Sequence, residues 1–192
     1  MRLIFATNNQ HKVQEIRAVL PSHFIISSLA EAGIDINIEE PYDTLKDNAA
    51  EKARTIYALT KTNCFSEDTG LEVASLNNEP GVRSARYAGD TKSFDDNIEK
   101  LLSNLAGNMN RSARFRTVIC LILEGQEHYF EGVCEGSITN KRSGTGGFGY
   151  DPVFKPEGAE KTFGEMNMEE KNKYSHRKKA TDLLVAFLNT YQ

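Results

Sequence analysis

Glu67 and Asp68 stand side by side in the stretch SEDTGL, which runs from Ser66 to Leu71 directly after Cys64 and Phe65. Val73, Ala74 and Leu76 follow, so the two carboxylates are flanked by apolar residues on both sides. Burying unpaired carboxylates is costly or forces a large pKa shift, and a hard, oxygen-seeking cation such as Mg²⁺ removes that cost. The competing reading is an exposed turn, in which Asp68 and Thr69 bond to nearby backbone ahead of Gly70.

Three further constellations could carry chemistry. The first is the loop Thr7, Asn8, Asn9, Gln10, His11, Lys12, between a strand-like run and a helix start. Free backbone N–H groups and the helix dipole favour an anion there, and Lys12 adds a full charge. No GxxxxGK[ST] pattern occurs anywhere, which excludes the phosphate cradle of P-loop kinases and GTPases. The second is GTGGFGYDPVF, where Gly144, Gly146, Gly147 and Gly149 bracket Phe148. Such a loop takes unusual φ values or lets a ligand approach its backbone. Phe148 either offers a ring face to a planar base or tucks into the core. The third is YSHRKKA. Ser175 suits an N-cap, which places His176, Arg177, Lys178 and Lys179 in a first helical turn. Cations oppose the dipole there, so solvent or an acceptor-rich partner must compensate, and Lys171 just upstream can join the same surface.

The elements that must hold these groups read as alternating strands and helices. Arg2 to Ala6 predicts a buried strand, and Val13, Ile16, Val19 and Leu20 follow at helical spacing. A second strand is predicted near Phe24 to Ser27, and a long helix over Leu45 to about Thr60, with Pro41 just upstream. Its apolar stripe is Leu45, Ala49, Ile56 and Leu59, and Lys52 falls on the same face, where it either snorkels to water or reaches an anion. A further helix is predicted from about Ser93 to Leu105. Ala113 to Leu123 and His128 to Ile138 predict an antiparallel hairpin turning at Gly125. The last helix carries a stripe of Ala180, Leu183, Leu184, Phe187, Leu188 and Tyr191. The pattern predicts an α/β protein on a mixed sheet.

Composition narrows the class. The 192 residues fit one domain, with enough length to bury roughly 70% of the extended-chain surface. Cys64, Cys120 and Cys134 form no CxxC pair, so they predict reduced thiols and argue against zinc. The N-terminus offers only Leu3 to Ala6 before Thr7, and the longest strongly apolar run is Val118 to Leu123. Both fall short of a signal or a membrane span, so a soluble cytoplasmic protein is expected. A net charge of −4 argues against a broad nucleic-acid surface.

Taken together and in order, six stretches resemble the family of inosine triphosphate pyrophosphatases, also called non-canonical purine NTP pyrophosphatases, dITP/XTP diphosphatases or HAM1-like NTPases. They are ATNNQHKVQEI, NAAEKA, SEDTGL, PGVRSARYAG, GTGGFGYDPVF and SHRKKA, and they span nearly the whole chain. One departure is that Asn8 replaces the glycine of the family's TGNxxK; asparagine tolerates left-handed conformations. Thr69 keeps the hydroxyl where serine is frequent.

The resemblance implies a cytosolic, Mg²⁺-dependent homodimer. Its single domain, residues 1–192, would be an elongated mixed β-sheet with flanking helices forming two lobes around a nucleotide-binding cleft. It implies conversion of ITP, dITP or XTP to the nucleoside monophosphate and pyrophosphate, with no nucleic-acid or membrane partner. By position, Thr7, Asn8, Asn9, Gln10, His11 and Lys12 would hold the triphosphate with Lys52. Glu40, Glu67 and Asp68 would be the metal-site carboxylates, with Asp68 as base. Thr69, Phe148, Gly149, Tyr150, Asp151, Lys171, His176 and Arg177 would complete the nucleotide site. Two rivals fit part of this pattern: a nucleotide sensor without turnover, and a Maf-like pyrophosphatase acting on other nucleotides.

Overall fold

The apolar RLIF run forms a strand, β1 (Arg2–Phe5), which pairs in parallel with β2 (Ile25–Ser28) in the register Leu3↔Ile26. On its other side β1 pairs in parallel with β3 (Cys64–Val73), where Phe5 lies opposite Phe65. Their rings stack with centroids 4.5 Å apart. Described in a computed structural model over residues 1–91 and 93–191, the sheet has seven strands. β4 (Glu79–Gly81), β5 (Ser112–Leu123), β6 (Gln126–Ile138) and β7 (Phe154–Pro156) complete it. The order is β2-β1-β3-β5-β6-β7, and β4 pairs antiparallel with β3. β7 pairs antiparallel with β6. Parallel and antiparallel pairings in one sheet, flanked by helices, make this the mixed α/β fold expected from the sequence.

The chain divides into two compact units. Unit 1 comprises Met1–Asp68, Thr117–Gly132 and the chain from Arg177; unit 2 comprises Thr69–Arg116 and Val133–His176. Within unit 1, α1 (Gln10–Arg17) and α2 (Leu45–Thr60) follow β1 and β2. α2 starts where the Thr44 side chain accepts the Asp47 N–H, and ends at Lys61 in a left-handed conformation. Ala49, Ala50, Ala53 and Ile56 are buried with Cys64, Cys120 and Ile122 in one apolar cluster. A second cluster joins Phe5, Val13, Ile16, Phe65, Ile119 and Leu121 with the C-terminal helix residues Ala180, Leu184 and Leu188. In unit 2, α3 (Phe94–Asn104) is capped by Ser93, and Ile98, Leu101 and Leu105 pack with Phe115, Phe154 and Phe163. Two further helices, α4 (Met168–Asn172) and α5 (His176–Thr190), close the chain.

Several sequence expectations are corrected. α1 stops at Arg17, so Val19 and Leu20 lie in the following turn, where both their N–H groups donate to Ile16 O. Leu59 shares the angle of the buried face of α2 yet is 60% exposed in the last turn. Helical spacing fixes a residue's angle about the axis, not how far the neighbouring layer extends. Leu183 is half exposed because the buried face of α5 centres on Arg177, Ala180, Thr181, Leu184 and Leu188, and Leu183 falls outside that arc. SEDTGL is not a turn: it lies within the ten-residue strand β3, buried throughout except at Thr69.

Candidate active site

Alternation along β3 governs the chemistry of its carboxylates. Successive strand residues project to opposite faces, so Glu67 and Asp68, adjacent in sequence, meet different partners. Glu67 is 2% exposed. It accepts both Oε bonds from Arg177 Nε, at 3.0 and 2.8 Å, and lies 3.2 Å from Lys12 Nζ. Burial works against its charge, but Arg177 and Lys12 outweigh burial and hold its carboxyl down at about 2. Arg177 NH1 in turn donates to Glu15. Lys12, Glu15, Glu67 and Arg177 thus form a buried ion network within unit 1.

Asp68 belongs to a second group. Lys52 Nζ donates to Asp68 Oδ1 at 3.2 Å and to Glu40 Oε1 at 2.5 Å. Burial opposes the Lys52 charge, yet Asp68 and Glu40 together hold the ammonium above its ordinary range. Burial, helped by Glu40, raises the Asp68 carboxyl against the pull of Lys52 and Lys12. Asp68 Oδ2 is buried and has no hydrogen-bond partner. An orphaned carboxylate oxygen beside a second carboxylate is a donor set that suits a hard divalent cation. Among the described residues, no three His, Cys, Asp or Glu side chains gather as a metal-holding cluster. The expected set of Glu40, Glu67 and Asp68 is therefore divided: Glu40 and Asp68 share one ammonium, while Glu67 is taken up by Lys12 and Arg177.

The first loop differs from expectation in how its amides are used. Asn9 caps α1, its Oδ1 accepting from His11 N at 3.0 Å and Lys12 N at 3.3 Å. Thr7 Oγ1 accepts from Asn9 N at 3.2 Å. These amides already have side-chain acceptors, and the loop's full positive charge, Lys12, is paired with Glu67. Asn8 and Gln10 are exposed. Asn8 is not among the positive-φ residues, so asparagine stands there without left-handed strain.

Unit 2 holds the glycine-rich loop. Asp151, 3% exposed, accepts the Phe148 N–H at 2.9 Å and the Lys171 ammonium at 2.6 Å on the same Oδ2. Lys171 is also buried, its Nζ 5.4 Å from the Phe148 ring centroid and 5.1 Å from that of Phe163. Gly147 has φ +72°, and a Cβ there would overlap the Asp151 carboxylate, so this position requires glycine on two counts. Phe148 is half-buried and tilted against Phe94, neither buried in the core nor fully open. Tyr150 is structural, its hydroxyl donating to Ser84 O at 2.8 Å, and burial raises its pKa. His176 stacks on Phe115 with centroids 4.6 Å apart. Gly149 and Thr69 are half-buried.

Arg177 departs most from the sequence expectation. Its guanidinium, 2% exposed, lies against Glu67 and Glu15 rather than an open acceptor surface. The cation in the first turn of α5 is compensated by carboxylates from β3 and α1. Lys178 is compensated locally by Asp182 one turn on, and Lys179 is exposed. Sequence reasoning missed Glu15. Its signal was the demand for a counter-charge at the start of α5, together with its place three residues after Lys12 on α1.

On this α/β fold, unit 1 carries a strand-borne carboxylate beside a shared lysine, and unit 2 carries an aromatic and an ion pair at its glycine loop. The model of the Ham1 family matches residues 3–187. A Flavobacterium johnsoniae protein named dITP/XTP pyrophosphatase is 49% identical over 188 residues, covering 98% of each chain. One of the same name from Porphyromonas gingivalis is also 49% identical, covering 97% of each. Among solved structures, the Staphylococcus aureus Ham1 protein superposes with a TM-score of 0.90 at 36% identity, with full coverage of both chains. A HAM1 protein from Coxiella burnetii gives 0.90 at 34%, covering 99% of each. The chain belongs to the Ham1 family.

Proposed function

We propose that this protein hydrolyses non-canonical purine nucleoside triphosphates, dITP, ITP and XTP, to the nucleoside monophosphate and pyrophosphate, and so cleanses the nucleotide pool. The observation that carries the chemistry is Asp68: a buried carboxylate with one oxygen on Lys52 and the other unpartnered. Relatives 49% identical over nearly the whole chain carry the name of this activity.

Phosphoanhydride hydrolysis is chiefly a matter of positioning and of neutralising charge on the in-line oxygens. Lys12 and Lys52 bind the triphosphate through Coulomb attraction and direct donation. Glu40 and Asp68 would hold Mg²⁺, which supplies a further positive charge to the phosphate oxygens. Asp68, its carboxyl raised by burial, takes the proton of the attacking water. Glu67 and Glu15 fix Arg177, and Glu67 steadies Lys12. In unit 2, Phe148 offers its ring to the purine. Lys171, held by Asp151, can donate to a 6-keto oxygen; the 6-amino group of adenine would set donor against donor and leave buried groups unpaired. Such a mismatch discriminates strongly. His176 and the backbone of Gly149 and Tyr150 frame the base, and Thr69 adds a hydroxyl. Residues 1–192 would act as one catalytic domain in a cytoplasmic homodimer, as the family resemblance implies.

The test is product identification. ITP with Mg²⁺ should yield IMP and pyrophosphate by chromatography, with ATP turned over far more slowly. Release of IDP and orthophosphate as first products would refute the assignment.

A further inference from the structure

Lys52 sits where a cation is needed. It is 8% exposed, and its single ammonium is shared between Glu40 Oε1 and Asp68 Oδ1. Around it in unit 1, the four carboxylates Glu15, Glu40, Glu67 and Asp68 face the three cations Lys12, Lys52 and Arg177, an arrangement close to neutral in itself. A divalent ion arriving alone would approach the two carboxylates already bridged by Lys52 and be repelled by that ammonium at close range. A triphosphate changes the balance. Its oxygens offer Lys52 an alternative partner, and a flexible four-carbon stem lets the ammonium move to them.

We infer that Lys52 is a built-in stand-in for the metal: it neutralises Glu40 and Asp68 in the free protein and yields them only when a polyphosphate draws it away. The metal therefore enters with the nucleotide and not ahead of it. This rests on the proposed function, since it concerns the same two carboxylates, but it makes a separate demand on the free protein. Lys52 acts here as a positioning residue as well as a phosphate ligand. The arrangement keeps the base from being locked on a metal in the absence of substrate.

Equilibrium dialysis with Mn²⁺ as the probe reads protein-bound metal without any turnover. Wild-type protein should retain Mn²⁺ weakly alone and at least about tenfold more tightly with inorganic tripolyphosphate. Lys52→Met, checked for folding by circular dichroism, should bind Mn²⁺ alone at least about tenfold more tightly than wild type, and adding Asp68→Asn should abolish that gain. A Lys52→Met affinity no greater than wild type overturns the inference. Should that variant not fold, the wild-type arm still decides, because equal Mn²⁺ affinity with and without tripolyphosphate also overturns it. An ITP assay on the same wild-type preparation is scored separately: failure to release pyrophosphate refutes the activity, whereas the dialysis alone decides the role of Lys52.

Discussion

Asp68 and Glu67 show how one position of difference along a strand separates two roles. Asp68 keeps an unpartnered oxygen and a raised carboxyl pKa, the properties of a base; Glu67 is saturated by cations and held far below the usual carboxylate range. Asp68→Asn keeps the shape and removes both basicity and metal affinity. Turnover of ITP should fall roughly a hundredfold or more, with the melting temperature showing that the fold persists. A loss within about tenfold would deny the carboxylate a chemical part. Arg177→Met tests the other group. It takes from the buried Glu15 and Glu67 the guanidinium they share, leaving Glu67 with Lys12, so stability should drop by about 3–5 kcal/mol in urea unfolding. A change under about 1 kcal/mol would mean that water reaches these carboxylates freely.

At the scale of elements, β3 and the glycine loop do the positioning. β3 is buried along its length except at Thr69, and its neighbours β1 and β5 hold its direction; the local signal of Asp, Thr and Gly for a turn is overridden by that packing. The longer helices were legible because their periodicity is local. Leu45 to Thr60 and the Ser93 cap match the predicted bounds. Stripe edges such as Leu59 and Leu183 were not, because burial depends on what packs beyond the helix. The loop has its own test. Gly147→Ala puts a methyl group into the space of Asp151 at a positive φ, so kcat/KM for ITP should fall by about tenfold or more and the melting temperature by several degrees. Gly149→Ala, with φ +61° and open space at its Cβ, carries the strain without the collision and should lose distinctly less. Equal losses at both positions would separate the loop's shape from the Asp151–Lys171 pair.

Over the whole molecule, the motifs announced the family, but the pairings that organise them were hidden. Glu67 and Arg177 are 110 residues apart, and Glu15 and Arg177 are 162 apart. No spacing rule reaches across such separations; only the order of the fold brings them together. The cysteines report on that order. Burial pushes the thiols of Cys64 and Cys120 up to about 12, and Cys134 is buried in the core of unit 2. At pH 8 a disulfide reagent should therefore label none of the three in the native protein, and labelling should follow the urea unfolding curve. Fast labelling without denaturant would show that one of these cores opens locally.

The Glu15–Arg177–Glu67 network has a consequence for how such a sequence can drift over generations. Losing any one member unbalances the charge of this buried network, whereas replacing all three with apolar side chains of matching volume can leave stability unharmed or improved. The fold therefore sets up a valley: single steps are penalised, and the far side is reached only by simultaneous exchange. A lineage that crossed it would keep its architecture while Lys12 lost its buried carboxylate partner. Under the proposed function, what the three residues serve together is the aim of Lys12 at a polyphosphate, a demand of the substrate and not of the chain that folds around it.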